Sequence, residues 1–250
     1  MRKTLVLAAA LLFAVSSFAA DLTVDDILAK NAEARGGMDK LRAVKSLRLS
    51  GKMAMMGMEA PITLSQARPD KMRMEFTLQG MTGIQAYDGT TGWMVMPFMG
   101  KKDAEAMTGD MLKEVKEQAD IDGPFVDYAK KGHKVELLGK ADVEGTPAYK
   151  VRLLTKDGTD STVYFDTETF LQVKIEAKRK MQGQEFESQT TFGNYQEVEG
   201  LLIPFSIEMS SKAAPAQKQS ITVEKVEINP ALDDAAFKMP AAAPKAETKQ

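Results

Sequence analysis

The chain has 250 residues, 44% hydrophobic and 27% charged, with a formal net charge of −2. That is ample length for one core, and it is not the basic balance of a nucleic-acid binder. No cysteine is present, which excludes disulfides, thiolate nucleophiles, Cys-ligated metals and a lipidated N-terminal Cys.

In chain order, Arg2 and Lys3 precede the apolar or small run "TLVLAAALLFAVSSFAA". Its apolar stretch, roughly a dozen residues, is shorter than the ~20 a transmembrane helix needs, so it is expected to be an export signal. Ser17-Phe18-Ala19 supplies small residues where a signal peptidase reads, giving residues 1–19 as the signal, with cleavage after Ala20 as the alternative. Export places the mature chain in the periplasm, with a net charge near −4 once Arg2 and Lys3 are gone.

The first helix is expected over Thr23 to Arg35. Thr23 can cap it, Asp25 and Asp26 favour its positive end, and Leu22 and Ile27 stand as a hydrophobic staple. Gly36-Gly37 stops it, and "MDKLRAV" reads as another short helical turn.

Strand patterns follow. In "KMRMEFTL", Met72, Met74, Phe76 and Leu78 share one face and Lys71, Arg73, Glu75 and Thr77 the other. A helical insert is expected from about Asp103 to Lys131, with Met107, Met111 and Val115 recurring every four residues. "DGPF" breaks it, and Pro124 can start a further helix through Phe125, Tyr128 and Ala129. Beyond it, Leu171, Val173 and Ile175 alternate, as do Phe205, Ile207 and Met209. Ser210 to Gln219 reads as a hairpin loop, and "AAAPKAETKQ" at residues 241–250 as a disordered tail.

The tally is about eleven or twelve strands without βαβ alternation. The predicted fold class is therefore α+β, mostly β: a single curved antiparallel sheet of about 11 strands, an open barrel with helices covering its concave face. Alternation on nearly every strand means one wet face and one covered face.

Twelve of the 17 methionines lie between Met53 and Met111, and "GWMVMPFMG" adds Trp93 and Phe98 to them. Met fills irregular gaps and adapts to varied ligands. Two readings stay open: a packed Met-rich core, or the lining of a space that admits hydrocarbon. The candidate lipid-binding residues are Met72, Met74, Phe76, Leu78, Trp93, Met94, Met96 and Phe98, with Met107 and Met111 on the covering helix. Trp93 and Met94 are neighbours and cannot both face inward on a regular strand.

Catalytic signals are lacking. His133 is the only histidine, in the basic junction "KKGHK", and reads as an exposed loop residue. It cannot build a triad or a zinc site alone. "GMTG" and "GTTG" are hairpin glycines rather than a phosphate loop. The expectation is no enzyme, no metal and no cofactor. A hydrolase would need a polar cleft with a strongly perturbed carboxylate pair.

Four stretches carry a resemblance: "AKNAEARGGMDKLRAVKSLRLSG" (29–51), "YFDTETFLQVKIE" (164–176), "FGNYQEVEGLLIPFSIEM" (192–209) and "VEINPALDDAAFKMP" (226–240). With the order of elements, they resemble the LolA/LolB-like periplasmic lipoprotein carrier superfamily, often described as outer-membrane lipoprotein-sorting-like. The resemblance implies one lipid-binding domain over residues 20–240, an open antiparallel barrel, and an apolar cavity between sheet and helices. It implies lipid or lipoprotein acyl chains as cargo, with an inner-membrane donor complex and an outer-membrane acceptor as partners. Lacking Cys, the chain resembles the soluble carrier rather than the tethered acceptor. The alternative is a non-carrier periplasmic scaffold or envelope sensor with the same fold and a filled core.

Overall fold

A computed structural model describes residues 22–55, 57–181 and 184–241. The expected export signal, residues 1–19, and residues 242–250 of the expected tail lie outside the described residues.

Helix α1 (Val24–Ala34) begins with a capping box: the Thr23 hydroxyl accepts from Asp26 N, and the Asp26 carboxylate accepts from Thr23 N. Its apolar face buries Ile27, Leu28 and Ala32. After Gly36 and Gly37, both at positive φ, α2 (Met38–Ala43) makes fewer than two turns.

Six strands follow in a meander: β1 (Ser46–Met55), β2 (Met58–Ala67), β3 (Lys71–Leu78), β4 (Met81–Tyr87), β5 (Gly92–Met96) and β6 (Lys101–Ala106). Then come α3 (Gly109–Ala119) and seven more strands: β7 (Lys134–Val143), β8 (Thr146–Leu154), β9 (Asp160–Asp166), β10 (Gln172–Met181), β11 (Gln184–Val198), β12 (Leu201–Ser211) and β13 (Ala214–Ile228). All lie in one curved antiparallel sheet of order β6-β5-β4-β3-β2-β1-β13-β12-β11-β10-β9-β8-β7.

Thus every neighbour is a sequence neighbour except the β1–β13 pair, which joins the two meanders with Leu47 opposite Ile228 and Met53 opposite Ile221. The sheet stays open, with β6 and β7 as its two edges. These edge strands are consecutive in sequence, so the chain between them must cross the sheet from one side to the other. That crossing is α3 and the segment 120–133, and it explains why the α-helical insert sits where it does.

The helical expectation needs trimming. Asp103 to Ala106 form the end of edge strand β6, and only Gly109–Ala119 is helical. Residues after Pro124 form a series of turns, not a further helix. The predicted loop over Ser210 to Gln219 contracts to a two-residue turn at Lys212-Ala213 between β12 and β13.

Helices and crossing segment cover the sheet in three patches. Ile27 and Leu28 of α1 pack on Val151, Val163 and Phe165, with Phe125 and Tyr128 of the crossing segment beside them. Helix α3 packs Val115 and Ala119 on Met72 and Tyr87. Leu41 and Val44 around α2 meet Leu201, Leu47, Ile203 and Ile228. On the outer face, the 3-10 turn Asp234–Phe237 docks over β3 to β5. There Lys71 pairs with Asp234 (2.7 Å), Arg73 Nη1 donates to Ala236 O (2.7 Å), and Phe237 is fully buried.

Candidate functional site

The ten candidate residues separate by location. Met72 and Met107 are buried and Met94 and Met74 half-buried against them, all under α3. Helix and sheet come unusually close here. A Cβ on Gly92 would stand 2.9 Å from Leu112 Cδ1 and 3.0 Å from Val115 Cγ1, so the absent side chain is what lets α3 seat. This cluster is packed protein rather than open space.

Phe76, Leu78, Met96 and Phe98 are half-buried. The turn Pro97–Met99 folds Phe98 back so that its ring lies 5.5 Å from Phe76, both over Gly83 of β4. Phe76 and Leu78 also pack with Met74 around Met53, Ala60 and Ile62. Met111, one turn before Val115 on α3, is 36% exposed and does not belong to the packed cluster.

Trp93 lies on the outer face. It opposes Ala86 on β4, while Met94 opposes Gln85. Its Nε1 donates to Phe237 O (2.8 Å) and the Arg73 guanidinium lies 5.6 Å from its ring. Trp93 therefore anchors the C-terminal turn and leaves the candidate lining, as strand alternation requires.

Open space lies elsewhere on the helix-facing side. A cavity of about 240 Å³ is bounded by α2, residues 120–123 and the strands β1, β12 and β13. Leu41, Val44, Leu47, Leu49, Ile121, Ile203, Ile207 and Ile228 make its apolar wall; Arg35, Gln66, Asp120 and Asp122 are its polar members. None of the ten predicted residues lines it. Two residues farther along β12, Met209 enters a second depression of about 260 Å³ with Met55, Ser188 and Gln219. Ile203, Phe205, Ile207 and Met209 share one face of β12 over about 20 Å of strand, with Phe205 buried.

The polar members are wired to hold the cover in place. Arg68, at the end of β2, donates from Nε to Val44 O (2.6 Å) and from Nη2 to Leu41 O (3.3 Å). The same guanidinium grips Asp122 through both Nη atoms, with Nη1 to Oδ2 at 2.6 Å. A planar fork suits a carboxylate, and a cation suits the C-terminal end of α2. The hydrogen bond from Arg68 holds the Asp122 carboxyl below its usual range, against the opposing effect of burial, and raises Arg68 in turn. Lys131 pairs with Asp120 and donates to Gly123 O (2.7 Å). Gln66 Nε2 reaches Gln118 O at the end of α3 (2.6 Å).

Arg35 differs. Its backbone is fixed: its N–H donates to Asn31 O (3.0 Å) and its carbonyl accepts from Leu202 N (3.1 Å). Its guanidinium has no hydrogen bond or ion pair among the described residues. Part of the residue reaches solvent, yet the guanidinium lies deep enough that burial lowers its pKa, partly offset by Tyr195 and Asp122. Tyr195 donates to Gln172 O (2.7 Å), and burial pushes its phenol up to about 12.

His133 is half-buried and structural: its Nδ1 accepts from Lys156 N (3.1 Å), and burial, with Lys131 nearby, lowers its pKa. Among the described residues, no group of three His, Asp or Glu side chains is arranged to hold a metal. No described helix is long and apolar enough to cross a membrane.

A family model described only as an uncharacterized protein matches residues 84–241, more than half of the chain. No curated protein matches. Among solved structures, a LolA superfamily protein from Nitrosomonas europaea aligns with 87% of this chain and 98% of its own, at 14% identity and a TM-score of 0.59. A DUF1329 family protein from Desulfovibrio piger aligns with 86% of this chain and 97% of its own, at 11% identity and a TM-score of 0.60. A putative outer membrane lipoprotein-sorting protein domain from Vibrio parahaemolyticus aligns with 84% and 97%, at 12% identity and a TM-score of 0.55. At these identities the likeness is one of fold.

Proposed function

Because this chain belongs to that family of uncharacterized proteins and has the fold of the LolA superfamily, we propose that it is a soluble periplasmic binding protein or carrier for lipid or lipoprotein acyl chains. One observation carries the reading. The helix-facing side of the sheet is largely apolar, but its cover is patchy, and beside α2 an oily hollow stays open. Burying hydrocarbon there gains roughly 0.8 kcal/mol per methylene. Some ten methylenes would thus supply about 8 kcal/mol before the costs of association, with no polar anchor required.

The cavity alone is smaller than the usual range for a drug-sized ligand, which runs from about 300 Å³. One alkyl chain laid along β12 fits this shape better than a bulky folded lipid. The cover is held by Arg68, Asp122, Lys131 and Asp120, a set of polar contacts that can part without disrupting the sheet. Loading would need donor and acceptor partners at the inner and outer membranes, since the chain carries no nucleotide motif that could supply energy. No catalytic step is assigned to it.

A second reading, a scaffold or envelope sensor with a filled core, draws support from the Met-rich half, where Met72, Val115 and Ala119 are sealed. The deciding experiment extracts the protein natively from its envelope and analyses bound lipid by mass spectrometry, alongside titration of the stripped protein with a fluorescent acyl probe. The carrier reading expects stoichiometric acyl species and saturable probe binding. Protein that is lipid-free and indifferent to the probe would favour the scaffold.

A further inference from the structure

The cavity beside α2 carries one charge more than its neighbours neutralise. Three cations stand at or behind its wall: Arg35, Arg68 and Lys131. Two of them are committed, Arg68 to Asp122 and Lys131 to Asp120. Those are also the two carboxylates in the lining. Arg35 remains, half-buried in the cavity wall, with neither hydrogen bond nor ion pair among the described residues. A half-buried guanidinium keeps five N–H donors and cannot discard its proton as a lysine can. Donors on its cavity side cost free energy unless water or a ligand supplies acceptors there.

The backbone shows that this placement is built. Arg35 ends α1, and its carbonyl is tied to Leu202 at the start of β12. Arg35 lines the cavity together with Leu202, Ile203 and Ile207. Tyr195 stands near enough to Arg35 for its field to be felt, but the phenol already donates to Gln172 O and stays neutral. The site thus pairs one unmatched cation with a strip of oily strand leading away from it.

We infer that the cavity selects a single-chain amphiphile with an anionic head, a long-chain carboxylate, whose head accepts hydrogen bonds from Arg35 while its tail runs along Ile203, Ile207 and Met209. This rests on the acyl-binding reading above and narrows it, because a neutral acyl chain would leave the guanidinium unpaired. A carboxylate matches the guanidinium fork in two places at once, which a hydroxyl head cannot.

The test titrates the stripped full-length protein with decanoate, decanol and inorganic phosphate by calorimetry. Charge-assisted hydrogen bonds lead to an expectation of decanoate at least about tenfold tighter than decanol, with phosphate alone weaker than decanoate. Arg35→Met should erase the gap between decanoate and decanol while leaving decanol binding within about twofold, which also shows that the cavity is still folded. Arg35→Lys should keep part of the gap. Equal binding of decanoate and decanol to the unaltered protein would overturn the anionic-head inference and leave the acyl-binding reading standing. A gap untouched by Arg35→Met would overturn it likewise, as would phosphate binding as tightly as decanoate, which would mark a free-anion site. Failure of all three probes to bind would remove both.

Discussion

Two parts of the same sheet face are covered in opposite ways. Under α3, Gly92 lets the helix descend until Val115, Ala119, Met72 and Met107 exclude solvent. Beside α2, a helix of six residues and an irregular segment stand over Leu47, Leu49, Ile203, Ile207 and Ile228 and leave a gap. The strands beneath are equally oily. What differs is the length and regularity of the element above: an eleven-residue helix presents a continuous stripe, while turns present scattered side chains and backbone groups that must find their own partners. Open space therefore reports on the cover and not on the hydrophobicity of the sheet.

The largest expected effect separates the two regions by stability. Met72→Ala removes a fully buried side chain from packed surroundings and should cost about 3 kcal/mol in chemical denaturation. Ile207→Ala, beside existing space, should cost about 1 kcal/mol while weakening an acyl probe several-fold. Equal stability losses, with the probe unaffected by Ile207→Ala, would dissolve the distinction between closed and open regions.

Gly92→Val tests the closed region from the opposite direction. Its side chain would meet Leu112 and Val115 and should lift α3, at about 2 kcal/mol of overpacking. Amide exchange should quicken in α3 and not in α2. If the substitution is silent, the close seating of α3 is not what seals the methionines.

Much of this fold was legible in sequence because its signals are local. The Thr23 and Asp26 box, the Gly36-Gly37 stop and the alternation in "KMRMEFTL" are each set by residues a few positions apart. The open trough is not local. It forms where β1 meets β13, a pairing of residues such as Leu47 and Ile228 that no short pattern announces. Met density drew attention to the first meander, yet flexible unbranched side chains fill gaps as readily as they line them. Ile207 was visible as part of an alternating strand, and "MDKLRAV" as a short helix, but not their meeting. Arg35 read as the last residue of a helix; only its place in the cavity wall, without a partner among the described residues, sets it apart. Misplacing Asp103 to Ala106 in a helix arose from charged residues that suit an exposed edge strand equally well.

A third test loosens the open cover. Asp122 is held below the ordinary carboxylate range by Arg68, so its ion pair stabilises the folded state above the unfolded carboxyl pKa of about 4 and is lost as pH falls through the lower folded value. Asp122→Asn should remove that acid dependence and raise the exchange rate of α2 amides at pH 7, leaving α3 unchanged. Faster exchange in both regions would mean that the covers move as one unit.

The smallest effect belongs to His133. It is the only histidine in the chain, so a stability slope near pH 6 has one side-chain source. Burial lowers its folded pKa, so the unfolded chain binds a proton that the folded chain refuses. Unfolding free energy should then rise with pH across the window from the lowered folded value up to about 6.5, and His133→Asn should flatten that slope. Since Nδ1 accepts from Lys156 N, protonation also breaks the contact that ties the end of the crossing segment to the β8–β9 turn. The loosening should therefore appear in residues 120–133 and not in α3, and an acid-induced opening of α3 instead would assign the pH sensitivity to the closed half of the sheet.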